Sequence, residues 1–245
     1  MKISIIHPSR GRPQMAYDTA MKWIRNASGQ NELDYILSLD NDEPHSSEYQ
    51  SKFTNNFNES FYGTCVMADN NNVVDAMNAG AKIAQGDLLV CISDDFECFQ
   101  NWDEELIKLI DNDIQAIQVK DGIINEKHSA YYKKYRMHEY IMTLPIMTKG
   151  LYDILGYIYY PEYTGMFADN DLAEMCQAMG VLKQSKLLFK HNHFTVTKKE
   201  DETYKRHNNQ PSWDIGQKLI NERRLNNFNA IINTSSNGDR PGTDI

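Results

Sequence analysis

Two carboxylates side by side at the end of an apolar run are the residues of this chain with the plainest chemical potential. Leu88 to Ile92 has the character of a buried strand in a parallel sheet, and it stops at Ser93-Asp94-Asp95. Adjacent charges are poor core material, because neither can be buried without a partner. They suit a hard divalent cation such as Mg2+ or Mn2+, which prefers carboxylate oxygens. The alternative is that they cap the next helix, expected near Trp102–Ile110, since helix N-termini favour aspartate. A second acidic stretch, Met166-Phe167-Ala168-Asp169-Asn170-Asp171-Leu172, opens a helix expected to run to Gly180. There Asp169 either N-caps the helix or, standing at a helix start beside a pocket, serves as a general base. His191-Asn192-His193 follows. On a strand, two histidines two residues apart share a face, and either could complete a metal site with Asp95.

The elements that must position these groups alternate. Strands are expected at Ile3–Ile6, Tyr35–Leu39, Thr64–Ala68 and Leu88–Ile92. Helices are expected at Met15–Asn26, with Met15, Ala16, Thr19, Met21, Trp23 and Ile24 available for packing, and at Val73–Gln85, closed by Gly86. Between His45 and Gly63 one helix or an ordered loop is expected. The repeat implies an α/β fold: a mostly parallel central sheet with right-handed crossovers, flanked by helices. In such sheets ligands sit at the carboxyl ends of the strands, where Ser9, Asp40 and the Asp94/Asp95 pair all fall.

The second half changes character. A strand is expected at Ile114–Val119, a turn at Asp121-Gly122, a helix near Lys149–Gly156 and a short strand at Leu187–Phe189. The run Tyr157-Ile158-Tyr159-Tyr160 is either core packing or an aromatic wall for stacking a sugar or base. A last helix is expected at Trp213–Phe228, before a mobile tail from Asn233. The organisation expected is a first half over 1–120, a second half of the same domain over 121–210, and a C-terminal helix with its tail over 211–245.

Composition narrows the choice. The 245 residues carry a net charge of −9 and no Lys/Arg block, which argues against tight nonspecific nucleic-acid binding while allowing a local basic groove near Lys183–Arg206. The four cysteines lack metal-type spacing, and Cys91 and Cys176 read as small core residues. No stretch reads as a membrane span or signal peptide, so a reduced, cytoplasmic setting is expected. Neither G-x-G-x-x-G nor G-x-x-x-x-G-K-[ST] is present. A nucleotide held by acidic residues and a metal, without a glycine cradle, fits best.

The run from Met77-Asn78-Ala79-Gly80 through Asp94-Asp95 to Trp102 resembles the signature of the GT-A fold nucleotide-sugar glycosyltransferases of the large inverting "family two" group. Asn78, Gly80, Ala84, Gly86, Asp94, Asp95 and Trp102 all find places in it, and the likeness covers most of Lys2 to about Arg206. His191 to Tyr204 also resembles a form common among phage-like members. The resemblance implies a soluble, metal-dependent transferase using Mn2+ or Mg2+ and a nucleotide-sugar donor, with UDP-sugar favoured. It also implies nucleotide-sugar binding for the half over 1–120, and acceptor binding and catalysis for the half over 121–210. It places the Pro8-Ser9-Arg10 loop under the nucleotide and Asp40 on the base. Asn78 and Asp94 fall on the donor side, with Asp94 toward ribose or sugar. Asp95 falls on the metal together with His193 or His191. Asp169 is the catalytic base of the "ED-x-DL" segment. Ala168 stands in place of the usual glutamate, and Asn72 where several members carry an arginine.

The acceptor implied is a saccharide or glycoconjugate hydroxyl. The alternative is a viral enzyme, in host cytoplasm, that glycosylates hydroxymethylated pyrimidines in DNA; it needs Lys133, Lys134, Arg136 and the Lys183–Arg206 segment to form one basic face. A non-catalytic nucleotide-sugar-binding protein would need no base. A sugar-nucleotidyltransferase would open with a glycine-rich loop, of which Ser9-Arg10-Gly11-Arg12-Pro13 is a faint echo.

Overall fold

A computed structural model describes residues 1–56, 62–123, 141–193 and 210–228. The tail from Asn233, the basic residues Lys133, Lys134 and Arg136, and the segment Phe194–Arg206 lie outside the described residues. No described helix is long and apolar enough to cross a membrane.

Seven strands form one sheet in the order β3-β2-β1-β4-β7-β6-β8. β1 (Lys2–Pro8), β2 (Glu32–Asp40), β3 (Tyr62–Ala68) and β4 (Leu88–Cys91) are mutually parallel. β7 (Ile146–Thr148) then runs antiparallel between β4 and β6 (Ala116–Lys120), and β8 (Leu182–Leu188) lies parallel to β6. The sheet is therefore α/β and mostly parallel, as expected. The second half departs from the β-loop-α repeat, because β7 runs antiparallel to both of its neighbours. A two-strand ribbon pairs β5 (Phe96–Glu97) with β9 (Lys190–His191), antiparallel, with Phe96 opposite His191.

The apolar content of the strands explains their burial on both faces. Ile3, Ile5, Leu37, Leu88 and Val90 face one core, with α1 (Pro13–Arg25) and α4 (Trp102–Ile107). Ile6, Ile36, Leu89 and Cys91 face the other, with α3 (Val73–Ala81), α5 (Lys149–Leu155) and α6 (Ala168–Ala178). Alternation along each strand assigns its side chains to the two cores. α2 (Ser46–Asn56) packs beside α1, and α7 (Gln210–Leu225) beside α6. All four cysteines are free, and Cys91 and Cys176 are buried.

Several expectations change at the level of packing. Met15 is 42% exposed, because the inward face of α1 is Pro13, Ala16, Thr19, Ala20 and Trp23. α3 ends at Ala81, four residues short of Gln85, and Gly86 does not cap it. Gly86 instead lies against β1, where a Cβ would stand 2.4 Å from the backbone nitrogen of Ser4. The strand expected at Ile114–Val119 begins at Ala116, and Ile114 is 37% exposed.

The other glycine of the signature serves the same purpose: a Cβ on Gly80 would lie 2.8 Å from Ile6 Cγ2, so its absence lets α3 settle onto the sheet. Trp102 is fully buried, its indole N–H donating to Trp23 O at 2.8 Å. Because the obstacle at Gly86 is backbone, Gly86→Ala should destabilise the fold by about 1–3 kcal/mol. The denaturation midpoint should drop without a change in the slope of the transition.

Candidate active site

β1 and β4 are neighbours from which the chain winds in opposite directions, and their carboxyl ends open the crevice where parallel α/β sheets bind ligands. After β4 the chain turns at Asp94-Asp95, with Phe96 N donating to Ser93 O at 3.2 Å, and burial alternates through it: Asp94, Phe96 and Cys98 are buried, while Ser93, Asp95 and Glu97 are half-buried. This two-residue period separates the two aspartates. Asp94 turns into the protein and Asp95 toward the ribbon that carries His191.

One face of α1 fastens this segment. Thr19 Oγ1 donates to Asp94 O (2.5 Å), Trp23 Nε1 to Phe96 O (3.0 Å) and Asn26 Nδ2 to Cys98 O (3.1 Å). Donors spaced by four and three along the helix thus meet the carbonyls of alternate residues, Asp94, Phe96 and Cys98.

Asp94 is 5% exposed and shares its charge with the fully buried His7, whose Nε2 lies 2.9 Å from Asp94 Oδ1. The other ring nitrogen of His7 contacts the Tyr35 hydroxyl, and Arg12 lies 3.6 Å from Asp94 Oδ2. Asp95 pairs with His191 Nε2 at 3.2 Å and accepts from Ser93 Oγ at 2.6 Å. Burial pushes the Asp95 carboxyl up, but hydrogen bonds from His191 and Ser93 and the charges of His191 and Arg12 outweigh it and hold it well below the usual carboxylate range. Register sets this pair: His191 stands opposite Phe96 and stacks on its ring at 4.1 Å, and Asn192 N donates to Asp95 O at 2.9 Å.

The His193 ring lies 5.0 Å from that of His191. Burial lowers its pKa, as does the charge of His191, against the opposing charges of Asp95 and Asp121.

Among the described residues, no three His, Cys, Asp or Glu side chains are already grouped around a point that would hold a metal. The donor chemistry nonetheless fits one. Asp95 supplies a carboxylate and His193 an imidazole near it, while His191 Nδ1, on the ring edge away from Asp95, is buried without a hydrogen-bond partner among the described residues. Leaving such a nitrogen unpaired is costly unless something binds there.

Asp169 enters from α6. Phe167, in the left-handed region at φ 70°, precedes the helix, and no side chain caps it. Asp169 is thus the second helical residue and not the N-cap. Its carboxylate accepts from Asn170 N at 2.9 Å and receives no side-chain hydrogen bond among the described residues. Loss of water raises its pKa to about 6, helped by the charge of Asp121 and opposed by the neighbouring N–H groups and His191. Asp121 itself is buried. It accepts from Thr143 Oγ1 at 3.1 Å, and its backbone carbonyl accepts from His191 N at 2.8 Å. Met142 N donates to the Asp169 carbonyl at 3.1 Å, so residues 142 and 143 tie the two aspartates together.

On the far side of the crevice, Arg10 bridges Asp40 (2.5 Å) and the exposed Asp42 (2.5 and 3.1 Å), and the hydrogen bond to Asp42 leads in raising its pKa. Asp40 also accepts from Asn70 at 3.1 Å. Pro8 ends β1. Ser9 N donates to Ser38 O at 3.1 Å, and its hydroxyl meets that of Tyr49 at 2.7 Å. Gly11, at φ 68°, turns the loop so that its N–H reaches the Glu43 carboxylate. Asn78 has its amide fully employed: Oδ1 accepts from Ile158 N and Tyr159 N, and Nδ2 donates to Tyr159 O at 2.8 Å.

The structure therefore brings Asp95, His191, His193 and Asp169 into one electrostatic neighbourhood, and Arg10 and Asp40 into another. Asn78 secures the turn at Ile158-Tyr159. The tyrosine run makes no open wall, since Tyr159 is buried with its hydroxyl on Met142 O and Tyr160 lies under Arg223.

His7, Asp121 and Arg223 were not singled out as site residues from the sequence, whereas Arg12 was a candidate cation in place of the arginine missing at Asn72 and lies instead beside Asp94. Asp121 carried the signal already used for Asp40 and Asp94, a carboxylate just past an apolar strand. His7 and Arg223 had none, because their carboxylate partners are 87 and 52 residues away.

A family model described as "Glycosyl transferase family 2" matches residues 4–172. The chain belongs to glycosyl transferase family 2. It is a glycosyltransferase of GT-A fold. No curated protein sequence matches it significantly.

Several solved structures share this family-2 fold. The mannosyltransferase PcManGT of Pyrobaculum calidifontis, in complex with GDP-Man and Mn2+, superposes with a TM-score of 0.57 at 12% identity, over 96% of this chain and 79% of that one. Staphylococcus aureus TarS 1–349 with UDP-GlcNAc gives 0.62 at 12% identity, over 92% and 67%. Glucosyl-3-phosphoglycerate synthase of Mycobacterium tuberculosis, with Mn2+, UDP and phosphoglyceric acid, gives 0.55 at 11%, over 93% and 78%.

The raised pKa of Asp169 carries a stability cost with a definite sign. Its folded value, about 6, lies above the roughly 3.9 of an unfolded aspartate, so ionising it disfavours the fold. The cost is absent below about pH 4 and complete above about pH 6. Asp169→Asn removes it and should stabilise this family-2 domain by about 1–3 kcal/mol at pH 7.5, with no gain at pH 4. Thermal melts of both proteins across that range would check this; a gain equal at both pH values would contradict it.

Proposed function

We propose that this glycosyltransferase moves a sugar from a nucleotide-sugar, with a UDP-sugar favoured, to an acceptor hydroxyl on a saccharide or glycoconjugate, inverting the anomeric centre. The observation that carries the reading is the contrast among its carboxylates. Asp40, Asp94 and Asp95 each contact a cationic or imidazole side chain, whereas Asp169, among the described residues, meets only backbone N–H groups and has a pKa raised to about 6. A carboxylate left basic and half-accessible is suited to take a proton near neutral pH.

Asp169 would accept the acceptor's hydroxyl proton as that oxygen attacks the anomeric carbon from the face opposite the leaving group. The bond from that carbon to the diphosphate oxygen breaks, and the diphosphate departs with the electron pair. Asp40 would receive the N–H of the base, exchanging its contact with Arg10, and the Pro8-Ser9-Arg10 loop would lie beneath the nucleotide. Asp94, held by His7 and Arg12, would set the ribose side. Asp95 with His191 and His193 would hold a divalent cation, which when bound offsets negative charge on the leaving diphosphate. Asn78 would act through the turn it secures.

Neighbours crystallised with Mn2+ and with GDP-Man, UDP-GlcNAc or UDP lend support to the donor class and the metal. A viral, DNA-directed member is less well supported: the net charge is −9, and Lys183 contacts Asp111. A binding protein without catalysis would have no use for the basic carboxylate of Asp169.

Nucleoside-diphosphate release from a panel of nucleotide sugars, with Mn2+ and with EDTA, tests the reading. Release from one donor should be lost with EDTA and in Asp95→Ala. Asp169→Asn should bind UDP normally and lose about 100- to 10,000-fold in turnover. In wild type, kcat should fall as pH drops through about 6, where Asp169 takes up its proton. Undiminished turnover in Asp169→Asn would remove it from the mechanism, and absence of UDP and Mn2+ binding would remove the donor assignment.

A further inference from the structure

The first turn of α6 is not held in place by its own sequence. Its cap residue Phe167 adopts a left-handed backbone at φ 70° without being glycine, and no side-chain cap secures the turn. Such a conformation costs on the order of 1–3 kcal/mol and persists only where surrounding structure imposes it. What imposes it here is α7, some forty residues downstream. Trp213 packs edge-on against Phe167 at 4.8 Å. Gly216 lies so close to the chain before α6 that a Cβ would stand 2.4 Å from Met166 O. Arg223 grips Asp171 with two prongs, Nε to Oδ1 at 2.5 Å and Nη2 to Oδ2 at 3.0 Å. Residues 213, 216, 220 and 223 recur at helical spacing, so a single face of α7 makes all these contacts, with Ile220 fully buried between them.

The Arg223–Asp171 pair is expensive as a source of stability. Both side chains are almost fully buried, at 2% and 1% exposed. Removing both charges from water costs several kcal/mol per ion, which mutual attraction only roughly offsets, and well-packed apolar residues often do as well or better. The geometry adds to the cost, since Arg223 Nη1 is buried with no hydrogen-bond partner among the described residues.

What the pair supplies and an apolar contact cannot is direction. A guanidinium fork meeting a carboxylate edge-on admits one orientation. That orientation is reinforced by the Tyr163 hydroxyl donating to Asp171 Oδ1 at 3.1 Å and by the Tyr160 ring 3.6 Å from the guanidinium carbon. Asp171 lies two residues beyond Asp169 in the same helical turn.

We infer that Arg223 is a positioning residue for glycosyl transfer: through Asp171 it fixes the strained first turn of α6, and with it the direction in which Asp169 presents its carboxylate. This inference rests on the assignment of Asp169 as the base. The C-terminal helix is on this account part of the transfer machinery, although it lies outside the matched family segment, residues 4–172.

The test uses the full chain and three variants, Arg223→Met/Asp171→Leu, Arg223→Lys and Asp169→Asn. Four quantities are read: Tm, UDP affinity in Mn2+ by calorimetry, and KM and kcat for the donor that wild type turns over. The apolar double variant should melt within about 5 °C of wild type and keep UDP affinity and donor KM within about threefold, while kcat falls about 10- to 100-fold. Arg223→Lys, which keeps the charge and loses the fork, should show the same split. A folded double variant with kcat within about twofold of wild type overturns the inference. So does a kcat loss matched by equal losses in KM and UDP affinity. If the double variant does not fold, a folded Arg223→Lys with full kcat overturns it equally. Turnover retained in Asp169→Asn would instead sink the base assignment, whereas an inactive Asp169→Asn beside a fully active double variant would sink this inference alone.

Discussion

A carboxylate withdrawn from water must be met by a cation, an imidazole or a set of hydrogen-bond donors, or it ceases to be ionised. This chain gathers an unusual number of carboxylates at one edge of its sheet, and much of its long-range structure consists of meeting them. Asp40 is met by Arg10 and Asn70, Asp94 by His7 and Arg12, Asp95 by His191 and Ser93, and Asp171 by Arg223 and Tyr163. In each case at least one partner comes from a distant part of the chain. The contacts therefore join β1, β4, β9, α6 and α7 into one assembly. Among the described residues Asp169 is the exception, with a backbone N–H and no side-chain donor against its carboxylate.

The scaffold beneath these pairs works by matching unlike periods. Thr19, Trp23 and Asn26 descend one face of α1, and the carbonyls they reach belong to alternate residues of the segment after β4. This fastens Asp94 inward, which turns its neighbour toward the ribbon. Most of the signature shared with family 2 also proves architectural. Gly80 and Gly86 allow close approach to β1, Trp102 fills the core beside Trp23, and Asn78 secures the turn at Ile158-Tyr159. Short-range motifs of this sort are visible in sequence because the backbone constraints behind them are local and strict.

Legibility in the sequence follows the range of the interaction. Strands β1 to β4 and the helices between them were readable because burial on both faces demands continuous apolar runs, and carboxylates at their ends stand out against that background. β6 was read within two residues of its bounds, but β7 was not, since a short antiparallel strand between parallel neighbours leaves no periodic trace in so few residues. The Tyr157–Tyr160 run is apolar and aromatic whether it lines a cleft or fills a core, so composition cannot separate the two. Packing against Asn78, Met142 and Arg223 does separate them, in favour of the core.

By itself, the sequence determined the α/β class, the strand ends at which Ser9, Asp40, Asp94 and Asp95 gather, and the acidic start of the helix bearing Asp169. These depend on residue type and on spacing within a few positions, which are properties of the chain before it folds. Only the tertiary structure decided which carboxylates are neutralised and which is left basic, because charge pairing depends on distance in space. His7 and Asp94 are 87 positions apart and touch at 2.9 Å; Arg223 and Asp171, 52 apart, meet at 2.5 Å. Coulombic attraction and the loss of water act through such separations without regard to the chain between them, so the electrostatic identity of Asp169 exists only once the fold has closed around it.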